Sequence, residues 1–152
     1  MAAITSAGTT LGISATLPAT FDATGFNAVT HTLIGEITSI DGNIGRVYNS
    51  VTHNPLASRA TVKKKGSYNS GSVTIQLAID NADAGQVIAQ AALLSDNNYS
   101  FKLTLQNGDI IYFEGMVMSF PLNAGGVDAI TTGTITVEIT AQDDGDDFVR
   151  VN

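Results

Sequence analysis

The chain has no cysteine and no tryptophan, only three prolines among 152 residues, and only seven basic side chains. Without cysteine there is no disulfide, no thiolate metal site and no cysteine nucleophile, so ordinary packing must hold the fold. A chain of this length can bury a core large enough for that. No apolar run is long enough to span a bilayer. The opening stretch MAAITSAGTTLGISATLPATFDA has neither a basic leader nor a continuous apolar core, so no secretion leader is expected. Charged residues make up 14% of the chain, against about 25% in an average soluble domain. A surface so poor in charge, and rich in Thr, Ser, Asn, Gly and Ala, suits a subunit packed against copies of itself, although a merely threonine-rich β domain has the same composition.

The signatures of chemistry are also missing. His31 and His53, the two imidazoles, have no partner at metal-ligand spacing; they are expected at the surface or an interface, and no metal and no cofactor is assigned. No nucleophile elbow, Walker A loop or dinucleotide glycine motif occurs. Glu36, Glu114 and Glu138 fall on expected strands, where carboxylates are far more often solvated than paired for acid/base work. Asp143-Asp144-Gly145-Asp146-Asp147 lacks the alternating ligands and distal glutamate of a calcium loop and reads as a mobile acidic tail. Lys63-Lys64-Lys65 has no interleaved aromatic, so stacking recognition of nucleic acid is not expected. The chain is not expected to be an enzyme.

What is present is alternation. Tyr99, Phe101, Leu103 and Leu105 alternate with polar residues, Asn107-Gly108 follows as a two-residue hairpin signal, and Ile135, Val137 and Ile139 alternate in a later strand. Val73, Ile75, Leu77 and Ile79 do the same over 72–80. Asp83-Ala84-Gly85-Gln86 has the form of a capping box, with Val87, Ile88, Ala91 and Leu94 at helical spacing after it. Residues 41–71 show no clean period. The fold class is therefore mainly β, an antiparallel sandwich or barrel in one domain spanning 1–152. It carries an N-terminal arm (1–20), a long inter-strand loop (41–71), one short α-helix (83–95) and an acidic C-terminal arm (141–152).

Net charge is −7, and its distribution is uneven. Arg46, Arg59, Lys63, Lys64 and Lys65 lie in an acid-free stretch from Gly42 to Ser70, while the remainder carries two basic residues against fourteen acidic ones. Complementary charge of this kind can set the register of one subunit on the next.

The order of these elements resembles the tail tube proteins of tailed bacteriophages. It runs from a LIGEITSI strand, through a long loop closing on Lys63, Lys65, Gly66 and Gly71, to a VTIQLAID strand, a helix opened by Asp83, Gly85 and Gln86, and a YSFKLTLQNGDIIYFEGMV hairpin. The likeness covers residues 5–140, and it rests on order and spacing since no single motif is specific. It implies a β-sandwich subunit that forms homohexameric rings, stacked into a tube that conducts viral DNA without specific binding. Tail terminator, tape-measure and tip or baseplate proteins would be its partners, with no membrane; the tube would assemble in the bacterial host cytoplasm and reside in the virion tail. On this resemblance the loop with Arg46, Arg59, Lys63, Lys64 and Lys65 meets the adjacent ring, Glu36, Glu114 and Glu138 are candidates for the lumen, and the C-terminal immunoglobulin-like domain of some relatives is not expected. A non-contractile tail is favoured, over the inner tube of a contractile tail or secretion-type system. A monomeric β-sandwich binding module is the remaining alternative, weakened by the lack of tryptophan and the few aromatics.

Overall fold

The computed structural model describes residues 3–152. In chain order it contains β1 (Thr10–Ser14), α1 (Ala23–Asn27), β2 (Thr32–Leu33), β3 (Ile37–His53), β4 (Val62–Ala78), α2 (Ala84–Leu93), β5 (Tyr99–Thr104), β6 (Ile110–Ser119), β7 (Leu122–Asn123), β8 (Thr132–Ile139) and β9 (Phe148–Val151). Among the described residues the strands form one antiparallel sheet in the order β2-β1-β5-β6-β8-β4-β3, with β7 on β8 and β9 on β6. The sheet curls on itself, so that Ile37 and Ile40 of β3 line the same cavity as Leu103 of β5.

Alternation decides which side chains fill the interior. Val73, Ile75 and Leu77 of β4, Ile135, Val137 and Ile139 of β8, Leu11 and Ile13 of β1, and Phe101 and Phe113 are all buried in one cluster. The two phenylalanines stack at 5.2 Å across the β5/β6 pair. Fully burying side chains of this kind contributes about 1.5–3 kcal/mol each, so this cluster is the main source of stability.

The helix α2 closes the core with Ala89 and Ala92. Asp83 caps it, accepting from the Gln86 amide at 3.0 Å, and also accepts from the Gly35 amide at 3.0 Å. Gln86 does not reach back to the cap as a capping box would. Fully buried, it donates to the carbonyls of Ala78 and Gly35 and accepts from the Asp80 amide. Gly85 is required here, because a Cβ would stand 2.2 Å from the Leu33 carbonyl oxygen. The Asp-x-Gly-Gln pattern thus docks a helix start onto the end of β4 and the turn after β2.

Several elements differ from the sequence expectation. The Asn107-Gly108 turn spans three residues: Gly108 donates to Leu105 and Leu105 to Asp109, and of the pair only Gly108 has positive φ, at 92°. That is a type I turn completed by a left-handed glycine, the next commonest hairpin closure. Residues 10–14 of the expected N-terminal arm form β1 inside the sheet, and residues 148–151 of the expected acidic arm form β9. A second helix, α1, adds to the one expected; five residues long and containing a glycine, it has no helical period of its own. Asp22 caps it at 2.7 Å. It buries Phe26 against Tyr112 at 5.0 Å, on the sheet face away from the main core.

The largest difference lies in 41–71. In place of a loop, β3 and β4 pair from Ile37↔Leu77 out to His53↔Val62, leaving only 54–61 as the connecting turn. The period is illegible for two reasons. Register shifts between Ile37 and Ser39, Ile44 and Val47, and Tyr48 and Ser50 break the alternation. Beyond β8, which pairs with β4 only from Ser72 to Ala78, the ribbon outward of its buried root at Ser70 meets solvent on both faces, so nothing there selects apolar residues for one side.

Candidate assembly surfaces

The β3/β4 hairpin runs past the edge of β8 as an arm of roughly 30 Å, taking a strand rise of about 3.3 Å per residue. Its outer part is exposed on both sides. An isolated two-stranded ribbon is marginal in water, and this one exposes Val47, Val51, Val62 and, at its tip, a fully exposed Leu56. Four of the five basic residues singled out in the sequence lie on its outer part: Lys63, Lys64 and Lys65 stand opposite Thr52, Val51 and Ser50, and Arg59 lies in the turn. The Lys65 ammonium sits 4.8 Å from the Tyr48 ring centre. Arg46 is different. It lies at the arm's root, paired with Asp147 at 2.9 Å and stacked 4.4 Å over the Tyr68 ring. Hydrogen bonds to Asp147 and then Tyr48 raise its pKa further above the ordinary arginine value.

The second surface is the polar side of β3, β4 and β8. Register places Asp41 beside Thr74 and Thr136, Asn43 beside Ser72 and Glu138, and Ser39 beside Gln76 and Thr134. It is a hydroxyl-rich face whose two ionisable groups on these rows, Asp41 and Glu138, are both acidic.

The three glutamates considered together in the sequence are separated by the fold. Glu138 is on this open face. Glu36 is exposed but not on a strand; it occupies the bend before β3 with φ 61°, where the chain leaves β2 to pair with β4, and its carbonyl accepts from Ala78. Glu114 is on β6 but only 5% exposed, because Gln142 of the segment after β8 folds over it and donates to its carboxylate. Burial pushes the Glu114 carboxyl above the ordinary range, partly offset by the Gln142 hydrogen bond. Asp41, the acidic residue that does join Glu138, is hidden in the sequence because it falls at the start of the stretch 41–71, which shows no period.

His31 is half-buried, not superficial. Its Nε2 lies 2.6 Å from the Ser100 hydroxyl and its ring 5.9 Å from that of Tyr112; burial, then the charge of Lys102, lowers its pKa. His53 is exposed at the end of β3.

No family model matches this chain, and no curated protein matches it in sequence. Solved structures do resemble it. A chain of the SPP1 tail tube superposes with a TM-score of 0.58 at 14% identity, covering 86% of this chain and 72% of that one. The chain has the tail-tube fold. A chain of the tail of an empty gene transfer agent particle, refined with C6 symmetry, gives 0.60 at 14% identity over 86% and 92% of the two chains. A chain of the extended sheath-tube complex of a PVC extracellular contractile injection system gives 0.59 at 10% identity over 94% and 87%. On this tail-tube fold the long hairpin and the hydroxyl-rich sheet face are both exposed.

Proposed function

We propose that the chain is a structural tube subunit that assembles with copies of itself into hexameric rings, stacked so that the rings enclose a continuous channel. The observation that carries this reading is the arm. A ribbon exposed on both faces, with Leu56 and several valines in water, gains its missing burial only against another molecule. The outer edge of β3 has no strand beside it among the described residues, so its free N–H and C=O groups offer a place for the next copy around the ring. In this arrangement Arg59, Lys63, Lys64 and Lys65 meet the acidic body of a subunit in the adjacent ring.

The hydroxyl-rich face then lines the bore. Glu138 and Asp41 give it negative charge that keeps a polyanion from adhering, whereas a basic wall would gain counterion release with every phosphate and hold DNA in place. The channel conducts viral DNA during ejection from a virion tail assembled in the bacterial host, with terminator, tape-measure and tip proteins at its ends. The likeness to chains of contractile injection systems supports a second version, in which the same tube is wrapped by a sheath. A second protein coating the tube would distinguish it.

Negative-stain imaging of the purified chain over a concentration series tests the assignment. Stacked rings should appear as concentration rises. A species that stays monomeric and featureless at the highest concentration would overturn the assembly reading in favour of a lone β-sandwich binding module.

A further inference from the structure

The strands β8 and β9 lie end to end on the same edge of β6. β8 pairs back along β6 as far as Ile139↔Gly115, and β9 resumes at Phe148↔Phe113. Only Glu114 separates the two ladders on β6, yet residues 140–147 intervene in the chain. The ladder itself does not require so long an excursion, and its far end is where the hairpin arm begins.

Asp147 is 3% exposed. Its carboxylate accepts from Arg46 Nε at 2.9 Å and Nη2 at 3.4 Å, from the Ser70 hydroxyl at 3.2 Å and from the Phe148 amide at 3.1 Å. Two residues earlier, the Gly145 carbonyl accepts from the Tyr68 hydroxyl at 2.7 Å and from Arg46 Nη2 at 3.0 Å. Gly145 has φ 94°, and a Cβ there would stand 2.9 Å from the Tyr68 hydroxyl. The excursion therefore touches both strands of the arm. The place it touches is a bulge: Ile44 pairs with Gly71 and Val47 with Asn69, so Gly45 and Arg46 together oppose Ser70. Bulges bend a ribbon and re-aim its side chains, which makes this the joint about which the arm would swing. Arg46 and Ser70, facing each other on the two strands at that joint, are bridged by one carboxylate.

Taking the hairpin as the arm that meets the next ring, which rests on the assembly reading above, we propose that Asp147 is a positioning residue. The 140–147 excursion is a strap that locks the bulge at the arm's root and holds the arm in one direction in the free subunit. A buried carboxylate is tolerated only when paired and hydrogen-bonded, and here its side-chain partners are the two strands of the arm at the bulge. Pre-setting the direction lowers the ordering cost of docking.

The absence of cysteine makes a direct test available. Spin labels on cysteines introduced at Leu56, at the arm tip, and Leu94, at the exposed end of α2, report the tip-to-body distance in dilute, unassembled protein by double electron-electron resonance. With Asp147 intact the distance distribution should be narrow. In Asp147→Ala it should roughly double in width while β-sheet circular dichroism persists, as expected when a local unit opens and the core does not. A variant with both Tyr68→Phe and Arg46→Gln, which removes the donors that hold the Gly145 carbonyl, should also widen it and covers the case in which Asp147→Ala fails to fold. Arg46→Lys, which keeps the charge but not the fork, should fall between. An unchanged, narrow distribution in the variants would overturn the proposal. The measurement needs no tubes, so it stands or falls separately from the assembly reading.

Discussion

At the scale of single residues, two carboxylates occupy positions that their chemistry disfavours. Glu36 holds a left-handed backbone at φ 61°, which costs a non-glycine residue about 1–2 kcal/mol. Glu36→Gly should therefore stabilise the subunit by about 1 kcal/mol, after the added freedom of glycine in the unfolded chain is set against the relieved strain. Thermal unfolding checks this, and a lowered midpoint would show that the side chain supplies something the bend needs. Glu114 is buried, with its pKa raised above the ordinary glutamate value. The folded state thus favours the protonated form, and the stability linked to that proton is fully present below the unfolded value and lost as pH rises through the folded one. Glu114→Gln keeps the shape, can still accept from Gln142, and removes the charge. It should melt higher than the parent at pH 7, with the advantage shrinking as pH falls and gone once Glu114 itself is protonated in both states. An equal difference at every pH would mean that packing, not ionisation, separates the two proteins.

At the scale of elements, the arm and its charge are the parts open to test. Lys63, Lys64 and Lys65 are exposed and pair only with the strand beside them, so changing all three to Glu should alter folding stability by no more than about 0.5 kcal/mol per site. In a symmetric ring the same change places repulsion at every copy of the contact. Circular dichroism should stay β-rich while tubes disappear from electron micrographs, and normal tubes from the triple variant would remove electrostatics from the stacking register. The strap after β8 works on the same element from its other end. On the proposal above it sets direction at the root, while the lysines lie nearer the tip.

At the scale of the whole molecule, the two faces of the sheet differ in character. One is apolar and closed by α2. The other, where β3, β4 and β8 meet, is hydroxylated and acidic, and among the described residues no helix or strand is laid over Asp41 and Glu138. If that face lines the bore, replacing Asp41 and Glu138 with Lys should leave tubes intact but slow genome release from assembled particles. The delay should be greater at low salt, because phosphate contacts strengthen steeply as salt falls. Release at the parental rate at all salt concentrations would place this face elsewhere than the channel.

The sequence by itself determined the sheet and its core. Strict alternation over 72–80, 99–105 and 134–140 is a local signal, and each strand there carries apolar side chains on one face and polar ones on the other, so Val73, Phe101 and Val137 are assigned inward without knowledge of their neighbours. The start of α2 is legible for the same reason, since a cap acts over three residues. Pairing decided the rest. Residues 41–71 are a hairpin because β3 and β4 find each other across a turn, with bulges that erase the period and solvent on both sides. Asp147 reads as part of a solvated acidic tail because its partners, Arg46 and Ser70, lie 101 and 77 positions away. Glu36, Glu114 and Glu138 are alike in sequence; only the fold makes one a strained bend, one a buried acid under Gln142 and one a residue of the open sheet face, because burial and register belong to the folded sheet and not to any stretch of the chain.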